Sequence, residues 1–118
     1  MQESFVVVRK IDLKSNIIYN GWGNGYVAIP PEHPLHGKSY DEIDGNIDVH
    51  GGLTYSGSGV FFGLENCYVN WWVFGFDTCH YGDNKETWPH YKVVAEAYRL
   101  KEQLDSYVVR LKKIKFEF

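Results

Sequence analysis

One apolar stripe near the C-terminus constrains the fold more than any other feature of the chain. Val93, Ala97, Leu100, Leu104, Val108 and Leu111 recur at steps of four, three, four, four and three, while Lys92, Glu96, Arg99, Lys101, Glu102 and Gln103 fall largely off that line. The period is that of an amphipathic helix. Asp83-Asn-Lys-Glu86 has the spacing of a capping box, Thr87 offers a second cap, and Pro89 suits a first helical turn. Roughly 20 to 25 residues at 1.5 Å each would span ~30 to 37 Å, enough to cross a sheet.

A helix with one apolar face needs a surface to bury it on, and the preceding residues supply strand-like runs. Phe5–Val8, Asn16–Tyr19, Tyr26–Ile29, Asn46–Val49, Leu53–Tyr55, Val60–Gly63 and Tyr68–Phe76 read as strands, with Pro30-Pro31 closing the third. Tyr68–Phe76 carries Trp71, Trp72, Phe74 and Phe76 and is apolar on both faces, so it reads as a central strand beneath the helix. Asn20–Gly25 and Ser56–Gly59 read as turns, Ser39–Ile43 as one helical turn, and the alternating Lys113–Phe118 as a closing edge strand. The expectation is α+β: a mostly antiparallel sheet of about five to seven strands with one long C-terminal helix packed across it, in a single domain over residues 1–118.

Charge and cysteines narrow the functional classes. Lys plus Arg number 12 against Asp plus Glu 15, a formal charge of −3, so no basic excess advertises nucleic-acid binding. Residues 92–118 alone carry 7 basic and 4 acidic side chains, which reads as the solvated face of the helix. Cys67 and Cys79 lack CxxC spacing, which argues against a zinc ribbon; two reduced, buried thiols are expected, with a single disulfide between neighbouring strands as the alternative. No signal-peptide pattern opens the chain and no apolar run approaches the ~20 residues of a membrane span. A cytoplasmic protein with no membrane partner is the expectation.

All 12 glycines lie between Gly21 and Gly82, among most of the tyrosines and three of the four tryptophans. Such a region can build an aromatic-walled cleft in which loop backbone donates hydrogen bonds. Two apolar runs there end in polar groups: Asp48-Val-His50-Gly51-Gly52-Leu-Thr54-Tyr55 and Asp77-Thr-Cys-His80-Tyr-Gly-Asp83. His50, Thr54, Tyr55, Asp77, His80 and Asp83 are expected to line one pocket, with Gly51 and Gly52 letting backbone or ligand approach closely. Trp22 and the Glu32-His33 loop are candidate walls, although Trp22 also suits a place in the core, and His33 and His36 also read as ordinary surface histidines. His50, Asp77 and His80 could act as general acid and base without a metal. His50, Asp77, His80 and Asp83 are chemically able to hold a metal, but they lack HxH or HExxH regularity, so neither metal nor cofactor is expected. The Gly-x-Gly-x-Gly of residues 21–25 is not a dinucleotide fingerprint, and Ser56 lacks the flanks of a nucleophile elbow.

Three segments carry a resemblance. Gly25-Tyr-Val-Ala-Ile-Pro-Pro-Glu-His-Pro-Leu-His-Gly-Lys38, Asp48-Val-His-Gly-Gly-Leu-Thr-Tyr-Ser56 and Gly75-Phe-Asp-Thr-Cys-His-Tyr-Gly-Asp83 together resemble a family of small proteins encoded by tailed bacteriophages and prophages. The resemblance spans about residues 20–105. It implies an accessory protein acting in the cytoplasm of an infected bacterium and brings no activity with it. In size, context and pocket composition the chain is similar to phage sponges, which sequester the signalling nucleotides of bacterial immunity. Aromatic walls suit a base, and glycine backbone and histidine donors suit phosphate or ribose. The functional expectation is therefore binding of a small, nucleotide-derived ligand, with a homo-oligomer compatible with it. The alternative is a His/Asp-dependent hydrolase cleaving a phosphoester or glycosidic bond, with or without metal assistance.

Overall fold

The computed structural model describes residues 2–11 and 18–116, with side chains described as far as Tyr107. Strands β1 (Phe5–Lys10), β2 (Gly23–Ile29), β3 (Tyr55–Ser58) and β4 (Trp72–Phe76) form one antiparallel sheet in the order β1-β2-β4-β3. Two single helical turns, α1 (Tyr40–Ile43) and α2 (Gly59–Phe62), precede the 27-residue helix α3 (His90–Phe116), which packs over β1 and β2. The architecture is α+β.

Each face of the sheet has its own core, as the period of two along a strand requires. Val27 and Ile29 of β2 and Phe74 and Phe76 of β4 point to the helix, where Val93, Ala97, Leu100 and Leu104 are all 0% exposed. The apolar stripe is buried along its described length, and that burial holds the helix to the sheet. On the opposite face Ala28 and Val73 meet Phe62 and Trp71 from the excursion between β3 and β4, with Tyr26, Tyr55 and Tyr68 packed alongside.

Several expected elements differ, and each difference has a local cause. The strand expected at Asn46–Val49 is instead the last residue of a 3-10 turn (Asp44–Asn46) followed by an irregular segment, Ile47 to Val49, that begins extended at Ile47. Its faces still alternate, with Ile47 and Val49 buried and Asp48 exposed, but helix side chains rather than a neighbouring strand satisfy its backbone. Asp48 N donates to Gln103 Oε1 (2.7 Å), Asp48 O accepts from Arg99 (3.0 Å) and Gln103 (2.8 Å), and His50 N donates to Glu96 Oε2 (2.8 Å). Ser56–Ser58 is strand where a turn was expected, paired with Gly57 opposite Val73, and Val60–Phe62 is helix where a strand was expected. Ser58 accepts from Phe61 N as its cap and Gly63, at φ 90°, ends it, so cap and stop residues override the β-branched and aromatic propensity between them.

The strand expected at Asn16–Tyr19 lies partly outside the described residues, and its described part, Ile18 and Tyr19, is a bend. The Asn20–Gly25 loop becomes strand at Gly23, and the long run from Tyr68 pairs only from Trp72. The closing strand expected at Lys113–Phe118 is instead helical backbone of α3 as far as Phe116, and its last two residues lie outside the described residues. The helical turn near Ser39 is present, with Ser39 N donating to Glu42 Oε1 (3.0 Å). The capping box expected at Asp83–Glu86 does not start α3, which begins at His90; a separate turn closed by Asn84 precedes it. Asn84 N donates to Thr87 Oγ1 (3.1 Å), while Asn84 Oδ1 accepts from Glu86 N (2.8 Å) and Thr87 N (2.9 Å), which leaves Asp83 for another use.

Both cysteines are free thiols. Cys67 is exposed rather than buried, and Cys79 is half-buried. Among the described residues no helix is long and apolar enough to cross a membrane.

Candidate functional site

Loops 47–54 and 77–88 meet at one end of the sheet, and two histidine–aspartate pairs form where they touch. His50 Nε2 lies 2.8 Å from Asp83 Oδ2 and 3.0 Å from Oδ1, and Asp83 is 5% exposed. The same carboxylate accepts from His80 N (3.0 Å), while Asp83 N donates back to His80 O (2.9 Å), closing a turn whose Gly82 takes φ 86°. Asp83, freed from capping the helix, thus ties the two loops together.

His80 makes the second pair with Asp77. Its Nε2 stands 3.1 Å from Asp77 Oδ1, but off the line a hydrogen bond needs, and that nitrogen is buried with no hydrogen-bond partner among the described residues. The distance alone therefore describes an ionic contact available to a protonated ring. Asp77 Oδ1 accepts instead from Cys79 N at 3.0 Å. The two imidazoles meet edge to face, 5.3 Å between centroids, and His50 leans on Trp88 at 4.1 Å. Lys92 Nζ lies 4.6 Å from the Trp88 ring centroid.

Gly51 makes this approach feasible. Its φ is 69°, and a Cβ there would sit 2.0 Å from His80 Nε2, so both backbone conformation and space require glycine. Cys79 is unsuited to be a nucleophile here: burial, then the charges of Asp77 and Asp83, push its thiol pKa above the ordinary value.

The other candidate residues lie elsewhere. Tyr55 sits on the face of the sheet away from the helix, edge-on to Tyr26 (5.7 Å), and Thr54 is exposed, held by its N–H to Gly75 O (2.9 Å). Trp22 packs against the helix-side core with His90 4.4 Å away, the core reading of that tryptophan. Glu32 is exposed at the surface, where the Gln2 N–H (3.0 Å) holds its carboxyl below the ordinary carboxylate value. His33 is not a surface histidine: it is 4% exposed, with Nδ1 accepting from Leu35 N (3.0 Å) and Nε2 donating to Leu104 O (3.0 Å). Gly52, at φ 78°, lies by Asp44 rather than by the histidines.

Beside the His–Asp cluster is an open depression of about 420 Å3 lined by Ile18, Asn20, Asp83, Asn84, Lys85 and Glu86. Tyr19, next in sequence to two of the lining residues, and Tyr81, 90% exposed and two residues before Asp83, hold their ring centroids 5.1 Å apart without lining the depression themselves. Sequence reasoning missed Tyr81, Asn84 and Lys85, although Tyr81 stands inside the His80–Asp83 motif. The signal that could have found it is an aromatic residue at the second position of a glycine-closed turn, which exposes its ring. Among the described residues no three His, Cys, Asp or Glu side chains are arranged to hold a metal ion. No protein family, curated protein or solved structure matches the chain.

Proposed function

We propose that the chain binds a small, nucleotide-derived ligand in the depression beside Asp83, with a base against the Tyr19–Tyr81 pair. The exposed ring pair carries this reading, because 5.1 Å between tilted rings presents faces on which any base can stack. The depression, about 420 Å3, falls in the size range of small-molecule sites, and Asn84 and Lys85 supply an amide for a base or ribose edge and an ammonium for phosphate. Asp83 anchors the floor through His50. In the phage setting implied by the three motifs, such binding in the host cytoplasm would withhold an immune signalling nucleotide from its effector.

A hydrolase reading is favoured by one separate observation. An imidazole oriented by a carboxylate 2.8 Å away, with a second histidine ring at 5.3 Å, is the kind of pair that general acid–base cleavage of a phosphoester or glycosidic bond uses. One experiment separates the two readings. Candidate cyclic dinucleotides and ADP-ribose derivatives are titrated by calorimetry, incubated with the protein, and recovered after heat denaturation. Binding predicts intact ligand and a loss of affinity in Tyr81→Ala and Lys85→Ala. A cleaved product accumulating beyond one equivalent, abolished by His50→Ala, would replace the binding reading with the hydrolase, and no binding by any candidate would defeat both.

A further inference from the structure

Two acidic side chains line the depression beside Asp83, and they are in different states. The Asp83 carboxylate is committed to His50 Nε2 (2.8 Å) and the His80 N–H (3.0 Å). Asn84 Oδ1 is committed as well, accepting from Glu86 N (2.8 Å) and Thr87 N (2.9 Å). Trp88 N donates to Asn84 O (2.8 Å), so residues 84–88 form a turn that closes on its own backbone and is anchored by the buried Trp88 in the helix-side core. Lys85 and Glu86 stand on that turn and line the depression, and among the described residues neither side chain makes a hydrogen bond or an ion pair.

The two free groups are chemical opposites. Lys85 offers three N–H donors and suits a phosphate, whereas the Glu86 carboxylate only accepts. A phosphate beside Glu86 would meet a like charge, and an acceptor atom of a base would find no donor there. What Glu86 suits is a group that holds two O–H donors side by side, one for each carboxylate oxygen. The cis-diol of ribose is such a group, and every ribonucleotide carries its ribose between base and phosphate.

Resting on the nucleotide reading of the depression, we propose that Glu86 reads the ribose of the ligand. The ligand is then a ribonucleotide whose 2′- and 3′-hydroxyls are both unesterified, as in a nucleoside diphosphate or an ADP-ribose derivative. A cyclic dinucleotide fits less well. Each of its riboses has one of these hydroxyls esterified, which leaves a single donor for two acceptor oxygens and brings a second phosphate near the carboxylate.

Calorimetric titration of the full chain with ADP, 2′,3′-dideoxy-ADP and 3′,3′-cyclic di-AMP tests the proposal. ADP should bind about tenfold or more tightly than its dideoxy counterpart, because two hydrogen bonds to a charged acceptor are lost with the hydroxyls. Glu86→Ala should abolish that preference by weakening ADP and not dideoxy-ADP. The Glu86 N–H that Asn84 holds survives the substitution, so the circular dichroism should be unchanged. The ratio of the two affinities is the readout, since removing a carboxylate that merely repelled phosphate would raise both together. Lys85→Ala should weaken both nucleotides alike and leave the ratio intact. Equal affinities for ADP and dideoxy-ADP, a ratio that Glu86→Ala leaves unchanged, or a preference for the cyclic dinucleotide over ADP overturns the role of Glu86 and leaves nucleotide binding standing. Binding of none of the three overturns both.

Discussion

His33 and the His50–His80 pair are histidines of one chain in opposite situations. At His33 both ring nitrogens are spent on backbone, Nδ1 on Leu35 N and Nε2 on Leu104 O, and burial removes the ring from solvent. That is a neutral ring used as a structural pin between the 30–36 loop and α3. At the other end of the sheet, His50 and His80 face carboxylates, remain 23% and 35% exposed, and leave one buried nitrogen, His80 Nε2, without a hydrogen bond. The first arrangement is complete and the second is open. The difference separates a histidine whose two nitrogens are both committed to the fold from a pair in which one buried nitrogen has no hydrogen-bond partner among the described residues.

The largest expected effect lies on the helix side. Leu100 is 0% exposed, so Leu100→Ala should cost ~2 to 5 kcal/mol through lost burial and a cavity, read as a lower denaturation midpoint. Ligand affinity of the still-folded fraction should be unchanged. If affinity falls in parallel, the two ends of the molecule are coupled and the comparison is too simple.

Next comes the pin itself. His33→Ala leaves Leu35 N and Leu104 O without their side-chain partner, which should cost about 2 to 3 kcal/mol. The ring also has a pH signature. Burial, opposed by the Leu104 bond and the Asp105 charge, holds its pKa below the ordinary 6.5. The unfolded chain therefore binds a proton that the folded ring refuses. Stability from this group is complete above pH 6.5, erodes as pH falls below that value, and is lost once pH passes the depressed folded pKa. Urea midpoints across that window should fall more steeply for the wild type than for His33→Ala, and equal slopes would remove His33 as their source.

How much of this was legible in the sequence depends on whether a signal was local. The helix stripe, the Ser39 turn, the central position of Phe74 and Phe76, and the convergence of His50, Asp77, His80 and Asp83 follow from periodicity and from motifs at the ends of apolar runs. What was not legible was set by distant partners. Asp48 and His50 are held by Gln103, Arg99 and Glu96, about fifty residues on, which turns an alternating segment into a docked loop instead of a strand. Lys113–Phe118 alternates like a strand, yet the helix before it runs on through Phe116. Tyr55 was misplaced by a register effect: Leu53 is buried toward the helix-side core, and two residues later Tyr55 belongs to the opposite face. His33 looked like a surface residue because its partners are backbone atoms, which carry no sequence signature.

Two further changes probe the open corner. Gly51→Ala places a Cβ against the His80 ring in a backbone conformation at φ 69°, so a loss of about 1 to 2 kcal/mol is expected together with a displaced ring. The histidine C–H resonances in NMR should report that displacement even where the midpoint moves little. An unshifted His80 resonance would mean that the 50–52 turn is not against the ring.

The smallest effect on stability, and the sharpest test of the comparison, is His80→Ala. Its Nε2 makes no hydrogen bond, its contact with Asp77 is half-exposed, and its backbone N–H, which Asp83 holds, survives the substitution. Half-exposed ion pairs contribute little once solvent screens them, so the midpoint should move by no more than about 0.5 kcal/mol. The effect should fall on the ligand instead: with the ring gone, the Asp83 turn keeps its backbone, but His50, which holds the Asp83 carboxylate, loses the ring packed against it, and calorimetric affinity should drop. If His80→Ala destabilises as much as His33→Ala while leaving ligand affinity intact, the corner is a second structural pin, and the division between closed and open histidines disappears.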